Sequence, residues 1–542
     1  MNSISFKYHT VVAVFAAVLF SSCNDLELAP TNKFTEANYW TSPDKATYVL
    51  NMAYSQMSSA GVLFNNEALS DNLYGTRGQS NEKIISSGQA NADNGRFASE
   101  WSDCYAGLKT CHTFLDNVDG VPDMDETLKA RMKAEARFIR AFLFFRLTTW
   151  FGDVPLFTTD ITLSQSKTIA RTPQADVLSF ILAELEDVAN ILPSKQEYAN
   201  ADRGRITKGA AVAMKARVYL YQNDWANVSA ECEKLINSEN YGKYELFNSY
   251  AGLFLPENEY NSEVILDYQY VPVYKTWGEY FDYAPITAGA RVNALAPAQE
   301  LADAYLMLDG KTISESGTSY DEDNPYDNRD PRLTATIVYD GYQWTDNSGT
   351  RTIYIKPGSA PAGQNQDEYV GPGQNSSGTG YYMRKYFDPS YTGSFASGLN
   401  IILFRYADIL LMYAEAKNEL GQMTETIWNN TIKPIRQRAG FTATNALNYP
   451  DGNSAALQDV IRRERRCELA VEGTRIFDLR RWKTIETTHN GYPHGAKFGD
   501  ISIDNGYIRL DARKFDPERD YLWAVPQAQK DLNPNLGQNP KY

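Results

Sequence analysis

The sequence predicts a mostly α-helical protein: a helical superhelix carrying irregular loops and short β insertions. Three observations point there. In the first 240 residues apolar side chains recur at three- and four-residue steps, which draws one buried stripe per helix. Neighbouring helical stretches interleave small and large residues, so that helices can approach closely while the large side chains fill the gaps. Between residues 240 and 400 that rhythm breaks into short β-leaning runs separated by turn residues. With 542 residues, 43 % of them apolar, the chain has material for a large core. Its net charge of −15 repels phosphate backbones, so no nucleic-acid partner is expected.

The chain divides into residues 1–22, 23–240 and 241–542. In the first segment Lys7 and His9 precede the apolar run Val11 to Phe20, followed by Ser21, Ser22 and Cys23. Ten apolar residues as a helix cover about 15 Å, half of a hydrocarbon core, which fits a removable export signal and not a span. Cys23 sits where a bacterial lipoprotein is cut and acylated, and is the expected lipidation site. A secreted protein with an incidental cysteine is the plainer alternative. No other stretch of the sequence approaches 18 apolar residues, so lipid is the membrane attachment it supports.

After a tether (24–35), residues 126–151 place Ala130, Ala134, Phe138, Ala141, Phe142 and Phe145 on one face, and Gly152 and Pro155 stop the helix. Thr172 and Pro173 open the next helix as cap and first-turn proline, with Val177, Phe180, Ile181, Leu185 and Val188 inward. Residues 207–236 read as a helix, a turn at Asn223-Asp224, and a second helix. Small Ala213, Ala216, Ala226 and Ala230 there alternate with large Tyr219, Leu220, Trp225 and Leu235, a tetratricopeptide-like unit. A related helix is expected over 401–420, closed by Gly421, and others over 426–438 and 455–472. No strict period joins the units, so the array is degenerate. The intervening β-leaning runs are 264–273, 334–339 and 352–356. Nine Gly or Pro within residues 357–380 make that stretch a loop, where binding function tends to lie.

Chemistry-bearing motifs are sparse. The sequence has no phosphate-binding loop, no dinucleotide fingerprint, no HExxH and no GxSxG elbow. His489 and His494, five apart in a Gly/Pro-rich loop, lack an obvious third ligand, and no metal or other cofactor is expected. Cys104, Cys111, Cys232 and Cys467 show no CxxC spacing and read as isolated buried thiols. The basic cluster Arg462, Arg463, Arg465, Arg466, Arg475, Arg480 and Arg481 is interleaved with Glu464, Glu468, Glu472 and Asp478, so mutual ion pairing outweighs an anion site.

The positive signal is aromatic. Tyr268, Tyr270, Tyr274, Trp277, Tyr280, Phe281 and Tyr283 fall within 16 residues, broken by Pro272 and Pro285, and Tyr342 and Trp344 follow. Such irregular spacing does not draw a helix stripe. A flat aromatic covers the C–H face of a sugar while amide, carboxylate or guanidinium groups bond its hydroxyl rim. The alternative for each ring is packing beneath the loop that carries it.

The lipobox cysteine and six ordered segments together resemble the SusD/RagB family of outer-membrane nutrient-binding lipoproteins. The segments are 134–157 (AEARFIRAFLFFRLTTWFGDVPLF), 325–337 (PYDNRDPRLTATI), 404–421 (FRYADILLMYAEAKNELG), 435–441 (IRQRAGF), 464–482 (ERRCELAVEGTRIFDLRRW) and 521–542 (YLWAVPQAQKDLNPNLGQNPKY). The acidic Asn24-Asp25-Leu26-Glu27 after the anchor is similar to the surface-export signal of Bacteroides-group lipoproteins. The resemblance implies a scaffold of four tetratricopeptide-like helix pairs. It also implies capture of oligosaccharide without hydrolysis and its delivery to a SusC-like TonB-dependent transporter at the outer membrane. Ligand would meet an aromatic arc, here Trp277, Tyr280, Tyr283 and Trp344, with polar groups from an early loop containing Asp71, Asn72, Tyr74 and Arg77. Of these, Asn72 and Arg77 are the expected polar contacts, while Trp101 more resembles a packing residue. A peptide-binding member of the family, a surface glycoside hydrolase and a purely structural transporter subunit are the rival readings.

Overall fold

The structure, a computed structural model, describes residues 39–390, 395–450 and 452–542. The export signal, Cys23 and the tether lie outside the described residues. The helices pack one on the next in a continuous stack: α1 (Pro43–Gln56), α2 (Gly95–Asn117), α3 (Glu126–Phe151), α4 (Gln174–Ile191), α5 (Lys208–Tyr221), α6 (Trp225–Asn237), α7 (Tyr406–Glu419) and α8 (Ser454–Glu468). This is the mostly α superhelix expected. Among the described residues no helix is long and apolar enough to cross a membrane.

Local chemistry fixes the ends. Asp125 accepts the Leu128 amide and starts α3, and Gly152, at φ +71°, ends it. Thr207 and Asp224 cap α5 and α6 in the same way, and Asn223 takes φ +57° to turn the chain between them. Pro173 is itself the N-cap of α4, one residue later than expected, because Thr172 is held in a bridge to Val154. Val177, Ile181, Leu185 and Val188 are fully buried, as the periodicity requires.

Residues 401–405 are not helical. Ile401–Arg405 forms a strand antiparallel to Val264–Tyr268, and the helix starts only at Tyr406. The apolar run IILFR satisfies either period, and a strand partner decides it. The 426–438 helix is broken at Thr431 (φ −125°, ψ −79°). Residues 334–336 end a short helix, Pro331–Thr336, and only Ile337–Val338 is extended. A second core forms from residues of the 250–400 region together with Phe64, Cys467 and Val471.

Four of the seven clustered arginines, Arg465, Arg466, Arg475 and Arg481, are ion-paired, mostly with distant partners, while Arg480 donates to the Asp520 and Tyr521 carbonyls. Arg465 reaches Asp408 (2.5 Å) and Asp478 (2.8 Å), Arg481 reaches Glu415 (2.6 Å), and Arg475 reaches Asp71 (2.8 Å). Glu468 in turn holds Arg332 (2.9 Å), Arg405 (2.6 Å) and Arg438, which ties α8 to three other segments. The Arg guanidinium groups outweigh burial and hold the Glu468 carboxyl well below the usual range. Cys104, Cys111, Cys232 and Cys467 are free and buried.

Candidate functional site

The aromatic arc expected from residues 277–344 is not an open ledge. Trp277, only 5 % exposed, packs on Phe64 (5.8 Å between ring centroids) and Tyr280 (5.7 Å), and its indole N–H donates to the Leu399 carbonyl (2.7 Å). Tyr280 and Tyr283 are buried beside Phe64. Trp344 is fully buried between Phe387 (4.5 Å) and the Arg384 guanidinium (4.4 Å), its N–H donating to Asp346 (2.9 Å). The physical reason is that the loops carrying these rings fold into their own core, which the rings fill. Of the aromatic run only Tyr274, 89 % exposed, stands out into solvent.

The early loop divides. Asn72 is fully buried; its amide donates to Glu67 (3.0 Å) and its carbonyl accepts from Arg466 (2.9 Å), so it is committed to the interior. Asp71 is likewise committed, to Arg466 and Arg475. Arg77 is half-buried and donates to the Gln374 carbonyl (2.7 Å) and the Asn375 side chain (3.3 Å), so it ties the early loop to the glycine-rich insertion. Trp101 is buried on Tyr105 and Phe151, a packing residue as expected.

That tie leads to the site. Two adjoining cavities, of about 540 and 290 Å³, share Tyr74, Gln79, Lys83 and Asp511. The larger is walled by the early loop, by Tyr369, Pro372 and Gly373 of the insertion, and by residues 499–511 near the C-terminus, including Tyr507 and Arg509. Gly371 and Gly373 adopt φ +114° and +77° with open space around them, which lets the insertion curl over the cleft. Tyr74 donates its hydroxyl to Asp511 (2.9 Å), and Lys83 pairs with the same carboxylate while lying over the Tyr74 ring (5.4 Å). Burial works against the charge on Lys83, but its bond to Asp511 outweighs burial and raises its pKa; the same bond lowers that of Asp511. The C-terminal wall is braced by Arg509 on Asp504 (2.6 Å) and by His494, held between Glu300 (3.0 Å) and Asp504 (3.2 Å).

The floor therefore combines tyrosine rings with neutralised charged groups, a surface that can take an apolar ring face and hydroxyl groups together. His489 points elsewhere, its Nε2 on the Leu69 carbonyl (2.7 Å), and among the described residues no group of His, Cys, Asp and Glu could hold a metal ion. Sequence reasoning marked the 357–380 loop as a place for binding but named no residue in it, and missed the C-terminal wall. A signal for that wall was the exposed apolar Ile503 in its loop.

A family model described as "SusD family" matches residues 262–542, and one described as "starch-binding associating with outer membrane" matches residues 26–220. The chain is 25 % identical to SusD-like protein P2 of Formosa agariphila over 99 % of its own length and 100 % of the relative. It is 26 % identical to SusD-like protein P25 of the same organism over 70 % of its length and 69 % of the relative. Its fold matches the crystal structure of a SusD-like carbohydrate binding protein from Bacteroides fragilis with a TM-score of 0.82 at 29 % identity, covering 92 % of this chain and 99 % of that one. With more than half its length under the first model and the helical stack in place, the chain belongs to the SusD family.

Proposed function

We propose that this protein binds glycan in the Tyr74–Tyr369–Tyr507 cleft, without cleaving it, and delivers it to a TonB-dependent transporter in the outer membrane, where Cys23 carries its lipid anchor. The observation that carries the reading is the cleft itself: tyrosines from three distant segments line it beside the paired Lys83–Asp511 and Arg509–Asp504, which suits an uncharged sugar chain. Supporting it, the Bacteroides fragilis neighbour is named a carbohydrate binding protein. Starch-binding protein SusD of Bacteroides thetaiotaomicron is 29 % identical over 161 residues, 28 % of this chain and 26 % of that protein.

The test uses purified residues 24–542 on native gels cast with a panel of neutral polysaccharides, followed by calorimetry with oligosaccharides of the one that retards migration. Retardation by one class, lost in Tyr74→Ala and Tyr507→Ala, is the expected result. Retardation that persists in both variants moves the site elsewhere. New reducing ends during incubation would make the protein a hydrolase, and binding of peptide pools alone would make it a peptide receptor. Co-purification of the lipidated chain with an outer-membrane barrel tests the delivery step.

A further inference from the structure

A second pocket, of about 280 Å³, shares no lining residue with the cleft. It lies between the loop that joins α4 to α5 (residues 192–207) and the strand Val264–Tyr268, with Tyr198 and Tyr260 among its walls. Tyr260 adopts φ +58°, costly for a non-glycine residue, and Gly204 adopts φ +88°, where a Cβ would come within 2.8 Å of the Tyr260 ring and closer still to Gln269.

Two cations face this pocket without a carboxylate within ion-pair reach among the described residues. Lys195 donates to the backbone carbonyls of Asn261 (2.5 Å) and Val264 (2.8 Å), which leaves one ammonium N–H unused. The Arg203 guanidinium lies over the Tyr260 ring (5.6 Å) and none of its N–H groups makes a hydrogen bond to a described residue. The neighbouring charges are already satisfied: Arg205 and Arg131 pair with Glu135 and Asp202, and Glu197 accepts the Ser194 amide. One acid remains. Asp267 is buried at the pocket wall with Oδ2 on the Asn400 amide (3.0 Å), and burial raises it to about 7, while burial lowers Lys195 to about 8.

We propose that this pocket is a second saccharide site that takes an acidic sugar, a uronate unit, with its carboxylate on Lys195 and Arg203 and its hydroxyls on Asp267 and Asn200. A guanidinium fork and a single ammonium N–H match a carboxylate. The tyrosine walls match a pyranose, and the volume, just under the roughly 300 Å³ at which small-molecule clefts begin, limits the ligand to a short unit. The site differs from the cleft in charge: Lys83–Asp511 and Arg509–Asp504 are paired there, while Lys195 and Arg203 have no carboxylate partner among the described residues here.

Saturation-transfer NMR on residues 24–542 with glucuronic acid, galacturonic acid and glucose as probes tests it. In the Tyr74→Ala protein, whose cleft no longer holds neutral sugar, at least one uronate gives transfer and glucose gives none. Arg203→Glu abolishes the signal with unchanged melting, and Tyr74→Ala in the cleft leaves it intact, which separates this site from the cleft's ligand. Arg203→Ala, expected to weaken uronate binding by about tenfold, serves if charge reversal disturbs the fold. Equal transfer to glucose, retention of the uronate signal in both Arg203 variants, or no transfer from either uronate would overturn the proposal.

Discussion

Trp277→Ala separates a ring that packs from a ring that binds. Trp277 fills a space among Phe64, Tyr270 and Tyr280, with centroids 5.7–6.3 Å away, and its N–H satisfies the Leu399 carbonyl. Truncating a buried tryptophan costs about 3–5 kcal/mol. Leaving the Leu399 carbonyl unpaired adds about 1 kcal/mol or more. The sum, about 4–6 kcal/mol, is a large share of the ~5–15 kcal/mol by which domains are stable. Trp277→Phe keeps most of the packing and should cost only about 1–2 kcal/mol, chiefly the lost hydrogen bond. Tyr274→Ala, on the exposed neighbour, should stay within about 0.5 kcal/mol. Urea denaturation followed by near-ultraviolet circular dichroism measures all three, and native-gel glycan retention of the folded Trp277→Phe protein should equal that of the parent. If Trp277→Ala unfolds within about 1 kcal/mol of the parent yet loses glycan, the ring is a ligand contact and the inward packing argument fails.

Glu468→Ala would remove one carboxylate from three buried guanidinium groups that keep Asp330, Glu464, Glu263 and Glu472, and lower stability by about 1.5–3 kcal/mol, read by thermal denaturation; melting like the parent would show the hub to be dispensable. Tyr74→Phe removes the hydroxyl bond to Asp511 at a cost of about 1 kcal/mol while keeping the ring, so it should weaken glycan retention less than Tyr74→Ala does. His494 is raised above its ordinary 6.5, first by its hydrogen bond to Glu300 and then by Asp504, against burial. Its contribution to stability is therefore full below its unfolded value and fades as pH rises through the folded value. An NMR titration of the imidazole should place its midpoint above 6.5, and Glu300→Gln should bring it down; a midpoint at or below 6.5 in the parent would contradict the double clamp.

The stack was legible because its signals are local. Helix 126–151 could be read to the residue from its face and its Gly152 stop, and the α5–α6 unit from Asn223-Asp224. Residues 401–405 were not, since their partner strand lies more than 130 positions away and only pairing decides their state. The arginine cluster was read as pairing with its own interleaved acids, which holds only for Asp478 with Arg465 and Arg481; Asp408, Glu415 and Asp71 as partners follow from the fold alone. The early loop was found by residue type, and Tyr74 and Arg77 do reach the cleft region. Asn72 points inward because Glu67 and Arg466 sit on that side, which spacing cannot reveal. The aromatic run illustrates the same limit: irregular spacing rules out a helix stripe but does not distinguish an open ledge from rings packed beneath their own loops. The cleft needed three segments, near residues 75, 370 and 505, that have no sequence pattern in common.

Because Val264–Tyr268 and Ile401–Arg405 run side by side, residues 269–400 leave the helical stack and return to it at one place, and the excursion is tied down again by Leu295–Pro297 on Leu73–Gly75, Arg332 on Glu464 and Glu468, and Lys385 on Glu472. The entropy of closing such an excursion grows only slowly with its length. The loops between those ties, the glycine-rich 357–380 among them, can therefore be lengthened or shortened while the ties and the helices keep their contacts. Selection can thus retune what a protein of this design recognises without renegotiating how it folds.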